Sequence, residues 1–438
     1  MGISSAGIGS GLDVNSLITQ IMSAERVPLD LLKAKETVAN ARLSAFGTVK
    51  SAMATFQAAL KTLQAGGLNA QNATSSSPTT FGATATDAAT PGSYAITISQ
   101  LARQAKQISG AVASPTTDFA TGTLSIQVGT APAISIPEGV YSLQGMSDAI
   151  NKANTGVSAS IVFDGVASHL SLTSTSTGVA SDFTVAATGG LAQFDSTSAS
   201  VTKQAALDAN FTIDGLAVTS ASNSVSTAIK GVTLNLAAVN ATASTLTIAR
   251  DDTKVKSNVN DFVKAYNALT TTVKGLTSYD AAAKKGAVLT GDSGALSVPS
   301  ALRREISTAV ASSGTITSLS SLGITSQRDG TLTVDDVKLS KAISTDAGNI
   351  ARFFNNPDGL ATRLNLSVTR LLDTTGVITS RTDGLTASIK SLQTQEEAVI
   401  VRLTQKETAL RRQFTNLDTV LAGLQSKGAF LSAQLARL

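Results

Sequence analysis

The chain has 438 residues, of which 42% are hydrophobic but only 4% aromatic, and it contains no Trp, no Cys and a single His. Its length exceeds what one hydrophobic core usually supports, so about two to four domains are expected. A formal charge of only +4, without any run of Lys or Arg, argues against nucleic-acid or lipid partners, and the missing cysteines exclude disulfides, thiolate metal sites and cysteine nucleophiles.

Residues 1–30 lack a basic start followed by an apolar core, and no stretch of about 18 apolar residues occurs, so classical secretion and membrane spanning are both disfavoured. Gly7-Ile8-Gly9-Ser10-Gly11 has neither a preceding strand nor the full glycine spacing of a dinucleotide loop, and reads as a mobile leader. A helix follows from about Asp13, with Leu17, Ile18, Ile21 and Met22 as its apolar face. Pro28, tolerated in a first helical turn, is expected to begin a second helix. On that helix Phe46, Val49, Met53, Phe56, Leu60 and Leu63 form one stripe, and Ala65, Gly66 and Gly67 end it.

Between residues 73 and 250 the character changes to Ser, Thr and Gly, with six basic and nine acidic side chains. Alternation in Tyr94–Ile98, Thr123–Val128 and Val232–Leu236 predicts half-buried strands. Segments 123–163 and 211–237 share a loose strand, turn, short helix and strand pattern. From about 251 the period returns to helical, with Val255, Val259, Phe262, Val263 and Tyr266 on one face. Leu322 to Val334 reads instead as a hairpin around Asp329-Gly330.

At the other end Leu403, Leu410, Leu417, Leu424, Leu431 and Leu438 recur every seven residues, and Phe414, Leu421 and Leu435 extend that seam. Such a heptad marks a helix that wants helical partners. Lys406 and Glu407 interrupt it, which predicts a bent or heterogeneous bundle rather than a long zipper. Both terminal stripes need packing partners, since short isolated helices are marginal in water, so the two ends are expected to pack on each other and on other subunits.

Chemical motifs are few. His169 lies in a polar alternation and reads as an ordinary exposed strand residue. Gly291-Asp292-Ser293-Gly294 resembles a serine-protease nucleophile segment, yet its helical surroundings do not suit that fold, and a turn capping the next helix accounts for it. The pairs Asp251-Asp252 and Asp335-Asp336 lack calcium-loop spacing and read as turns or helix starts. No catalytic residue, metal site or cofactor site is assigned.

Together the segments resemble the flagellar hook-associated protein 2 family along essentially the whole chain. The likeness rests on Gly9-Ser10-Gly11-Leu12-Asp13-Val14-Asn15-Ser16-Leu17-Ile18, Glu25-Arg26-Val27-Pro28-Leu29 and the run from Pro91 to Ala102. Ala153 to Ser160, Asp261 to Asn267 and Leu289-Thr290-Gly291-Asp292 add to it, and the last explains the protease lookalike. The resemblance implies export through the flagellar channel to the extracellular filament tip, with no membrane and no nucleic-acid partner. There it implies a ring-like homo-oligomer of about five subunits that guides flagellin into place and has other hook-associated proteins and an export chaperone as partners. A flagellin or hook-filament junction protein is the nearest rival, and a surface adhesin the rival from another class.

The expected fold class is α+β and multidomain: a helical coiled-coil leg from both termini, a mixed helical and strand domain, and inserted β-rich head domains. The division is 1–42 with 400–438 for the leg, 43–72 with 251–399 for the mixed domain, and 73–108 with 200–250 and 109–199 for the two heads.

Overall fold

The computed structural model describes residues 13–139 and 141–435. The Gly7–Gly11 leader and Leu438 lie outside the described residues. Helix α1 runs from Val14 to Thr62. Asp13 caps it, its carboxylate accepting the Ser16 N–H at 3.0 Å, which satisfies one of the free donors of the first turn.

Pro28 lies inside this helix and does not divide it, which corrects the two-helix expectation. Proline removes only the bond to the Ala24 carbonyl, and both residues are solvent-exposed, so water can take that acceptor. The helix ends in a π turn, Leu63–Gly67, where Gly66 adopts φ 82°, open to glycine at little cost. Asn258 then donates to the Gly67 carbonyl at 2.7 Å.

The chain forms two compact units, residues 69–255 and residues 1–68 with 256–438. The first holds strands β1 (Gln71–Ser75), β2 (Phe81–Ala85), β3 (Gly92–Gln100), β4 (Gln104–Ile108), β5 (Gly122–Val128) and β6 (Ile134–Gly139). Helix α2 (Leu143–Ala153) follows, then β7 (Val157–Phe163), β8 (Ser168–Thr177), β9 (Phe183–Ala187) and β10 (Thr202–Gln204). Strands β11 (Ala209–Ile213), β12 (Leu216–Ser220), β13 (Ser224–Ile229), β14 (Val232–Leu236) and β15 (Ser244–Arg250) complete it.

Two sheets, β1-β15-β3-β11-β12 and β13-β14-β2, share a core that includes Phe81, Ile96, Ile98, Phe211, Leu234 and Leu246. Two more, β10-β4-β8-β7 and β6-β5-β9, enclose a second core with Leu124, Ile126, Met146, Ile150, Leu172 and Phe194. Alternation places these side chains on one face of each strand. Segment 123–163 does contain a helix, α2, capped by Ser142 at 3.2 Å from the Gly145 N–H. Segment 211–237 contains none: four strands fill it, with Asp214 and Gly215 both at positive φ in the β11–β12 turn, the geometry a two-residue hairpin loop needs.

The second unit continues with α3 (Asp252–Thr277), β16 (Tyr279–Asp280), β17 (Lys285–Gly286) and α4 (Ser293–Ser307). It ends with β18 (Ile324–Ser326), β19 (Leu332–Val334), α5 (Asp336–Asn355), α6 (Leu360–Leu372) and α7 (Val377–Leu435). Val255, Val259, Phe262, Val263 and Tyr266 are all buried. Phe56 of α1 lies 5.8 Å from Phe262 and 5.9 Å from Tyr266 between ring centroids, within the range of favourable aromatic pairs. Among the described residues no helix is long and apolar enough to cross a membrane.

Candidate assembly interface

Val14, Ile18, Met22 and Leu29 of α1 form one apolar cluster with Leu403 of α7, and Val399, Leu410 and Phe414 pack against it. On α1 the buried and half-buried positions continue through Leu32, Glu36, Ala39, Leu43 and Phe46, a three-four alternation of the coiled-coil kind. Leu17 and Ile21 stand exposed on a different face. Of the four N-terminal residues expected to share an apolar face, only Ile18 and Met22 therefore meet the other helix, joined by Val14. The cause is angular: a step of one residue turns a helix by about 100°.

Polar side chains line the same seam. Lys406 Nζ lies 2.6 Å from Glu25 Oε1, so the residue that interrupts the heptad is paired across the helices. Gln393 donates to Glu36 at 2.8 Å. Arg411 donates to Asn15 at 3.2 Å and to Glu407 at 2.8 Å. Burial first, and then the neighbouring Glu36 carboxylate, hold the Glu396 carboxyl above its ordinary value.

Beyond Phe414 the apolar repeat continues without cover. Leu417, Leu424 and Leu431 are 45%, 59% and 62% exposed, and Leu421 is half-buried. Leu435 ends α7, and its side chain lies outside the described part. Sequence reasoning missed Val14, Leu29 and Val399, which a search for the three-four alternation over the whole of α1 and α7 would have found.

The chemical lookalikes have structural bonds. The Asp292 carboxylate caps α4, accepting from the Gly294 and Ala295 N–H groups at 2.8 and 3.1 Å, and Ser293 accepts from Arg381 at 3.2 Å. Asp335 caps α5 in the same way, Asp336 pairs with Lys256 at 2.9 Å, and Asp252 pairs with Arg250. His169 does lie on a strand, β8, but half-buried rather than exposed, with Nδ1 2.8 Å from the Ser109 carbonyl and Nε2 3.1 Å from Asp164. These two acceptors, Ser109 first, raise the imidazole above its ordinary value. The Ala167 and Val166 N–H groups, followed by His169, lower Asp164 to about 2. Among the described residues no group of three or more potential metal ligands occurs.

Residues 10–105 match the family model described as Flagellar hook-associated protein 2 N-terminus, and residues 206–426 match its C-terminus. This chain belongs to the flagellar hook-associated protein 2 family. Residues 123–176 of this hook-associated protein 2 chain also match the Flagellin hook IN motif, which spans β5 to β8. It is 36% identical to the B-type flagellar hook-associated protein 2 of Pseudomonas aeruginosa, over 99% of this chain and 98% of the relative. It is 34% identical to the flagellar hook-associated protein 2 of Escherichia coli K12, again over 99% and 98%. The crystal structure of the flagellar cap protein FliD D1-D2-D3 domains from Escherichia coli superposes with a TM-score of 0.65 at 34% identity, covering 78% of this chain and 99% of that one. The two sequence relatives bear the hook-associated protein 2 name and the solved structure that of a flagellar cap protein, rather than that of a flagellin or an adhesin.

Proposed function

We propose that this chain caps the flagellar filament. Copies assemble at the extracellular tip into a ring-like homo-oligomer of about five subunits, order the polymerisation of incoming flagellin and keep unpolymerised flagellin from being lost. The chain reaches the tip through the flagellar secretion channel, with an export chaperone and other hook-associated proteins as partners. Its work is structural rather than enzymatic and uses no cofactor or metal.

The observation that carries the interface assignment is the bare continuation of the α7 seam, because an exposed apolar ridge on a long helix marks a contact still to be made. Leu17, Ile21, Leu417, Leu421, Leu424, Leu431, Leu435 and Leu438 are its contact residues, and the paired positions Ile18, Met22, Leu403, Leu410 and Phe414 hold the leg that presents them. Residues 1–42 with 400–438 act as the leg, 43–72 with 251–399 as the domain next in sequence, and 73–108 with 200–250 and 109–199 as two heads.

The test uses cells lacking their own cap protein. Wild-type chain should restore filaments, whereas Leu417→Asp with Leu424→Asp should leave flagellin monomer in the medium, since charge on a buried seam is costly. Failure of the wild type in its own host would refute the cap reading. Normal filaments from the double variant would refute the seam.

A further inference from the structure

The outer strand of a sheet offers main-chain groups that can pair with another chain, and proline, charge, shortness, bulges and covering segments are the means of preventing it. In the strand-rich unit most edges carry such a block. β1 packs beside β2. Asn151 holds both main-chain groups of Ala159 on β7, while Ser196 and Asp195 bond to Val185 and Ala187 on β9. β6 contains Pro137 and Glu138, β10 has three residues with Lys203 among them, and β13 is bulged between Val225 and Ile229.

β12 has none of these. Its five residues include no charge and no proline, Leu216 is 72% exposed, and its ladder with β11 is unbroken. The neighbouring strands fix which of its groups are open. The Asp214 N–H donates to the Ala95 carbonyl at 2.9 Å, so Thr212 and Asp214 face β3 while Phe211 and Ile213 face β12. Phe211 stands opposite Val218 and Ile213 opposite Leu216. In an antiparallel ladder those pairs exchange their bonds, and Ala217 and Thr219 point theirs outward. Among the described residues the main-chain groups of Ala217 and Thr219 have no partner.

The spacing of these groups is self-complementary. In an antiparallel pair centred on Val218, Ala217 stands opposite Thr219 of the partner subunit and Thr219 opposite Ala217 of the partner subunit, so every open N–H meets an open carbonyl. With no charge on either strand, no like charges meet. A shared edge one strand wide buries less than the about 1,200 Å² of a stable interface, which makes the pair weak and reversible.

We propose that two copies of this chain pair reversibly through β12, antiparallel about a two-fold axis at Val218, so that two sheets become one. The contact closes as a dimer. It therefore joins two chains rather than the neighbours within a ring, and it does not rest on the cap reading.

The absence of cysteine makes the test direct. Val218→Cys and Ala217→Cys are made singly in the full chain, concentrated and treated with a mild oxidant. At the axis Val218 faces the partner's Val218 in a non-hydrogen-bonded pair, with Cα atoms about 4.5 Å apart, inside the about 4.4–6.8 Å that a disulfide spans. Ala217 and the partner's Ala217 are diagonal, at about 7–8 Å. Val218→Cys should therefore give disulfide dimers about tenfold faster, although Ala217 is the more exposed of the two. Adding Thr219→Pro, which removes an outward N–H and none of the β11 ladder, should abolish the dimer, and Ala217→Lys, which leaves the main chain intact, should do the same. Leu417→Asp with Leu424→Asp should leave the rate unchanged. Equal rates at positions 217 and 218, cross-linking that survives both edge variants while circular dichroism shows a folded chain, or its loss with the α7 ridge would each overturn the pairing.

Discussion

Asn223 holds Ala102 by both of its backbone groups, its Nδ2 donating to the carbonyl at 2.8 Å and its Oδ1 accepting the N–H at 2.8 Å. A side-chain amide here completes the pairing that a neighbouring strand would otherwise provide. The device recurs where Asn151 holds Ala159, at 2.8 Å for each bond. Asn267 holds Leu332 likewise, at 2.8 and 2.7 Å.

Because Ala102 is buried, Asn223→Ala leaves two backbone groups without partners. A loss of about 2 kcal/mol is expected from two neutral bonds whose partners remain in place. Urea unfolding followed by circular dichroism measures it, and an unchanged midpoint would mean that water replaces the amide.

The His169 contact gives a pH dependence of defined sign. A raised imidazole stabilises the fold fully below its ordinary value of 6.5 and loses that contribution as pH rises through the folded value. Asp164 contributes above its ordinary 3.8 and loses this as pH falls through about 2. Amide exchange at Val166 and Ala167, corrected for its intrinsic pH dependence, should therefore be slower at about pH 5.5 than at about pH 8.5. In His169→Ala the difference should vanish.

Glu396 acts in the opposite direction to Asp164. Its raised carboxyl favours the fold below the ordinary value of 4.5 and penalises it once pH passes the folded value. Glu396→Gln should raise the melting temperature at about pH 7.5, with no gain in acid. A loss at neutral pH would show that the charge itself is needed, through Lys33, which lies close enough to lower the same carboxyl.

Two leucines at the same heptad position of α7 should behave differently in the isolated chain. Leu403 is 7% exposed and packed in the α1–α7 cluster, so Leu403→Ala should cost about 2–4 kcal/mol. Leu424→Ala, at an exposed position, should stay within about 0.5 kcal/mol while weakening assembly. Equal losses by calorimetry on dilute protein would mean that Leu424 is already covered.

Helical and strand periods were legible because burial repeats at 3.6 or 2 residues, as the inward faces of β3, β5 and β14 show. Where two stripes share one helix, periodicity alone does not say which faces the partner. In sequence Leu17 and Ile21 thus group with Ile18 and Met22, although the α7 side chains meet only the latter pair. Pro28 reads locally as a boundary, yet one lost bond on a solvent face does not outweigh the apolar seam on both sides of it. The Asn clamps are invisible in sequence, since each joins residues that only the fold brings together.

The pairing of α1 with α7 also orders events on the ribosome. Everything from Leu63 to Gly376 separates the two helices, and at about 5–20 residues per second this span takes on the order of tens of seconds to translate. Throughout that interval α1 has no α7 to cover Ile18, Met22 and Leu29, while the unit ending at Val255 is complete well before α7 begins. Nascent chains therefore carry a finished strand-rich unit alongside an uncovered amphipathic helix, and translation pausing ahead of Val377 would lengthen the period in which two such helices on neighbouring ribosomes can find each other.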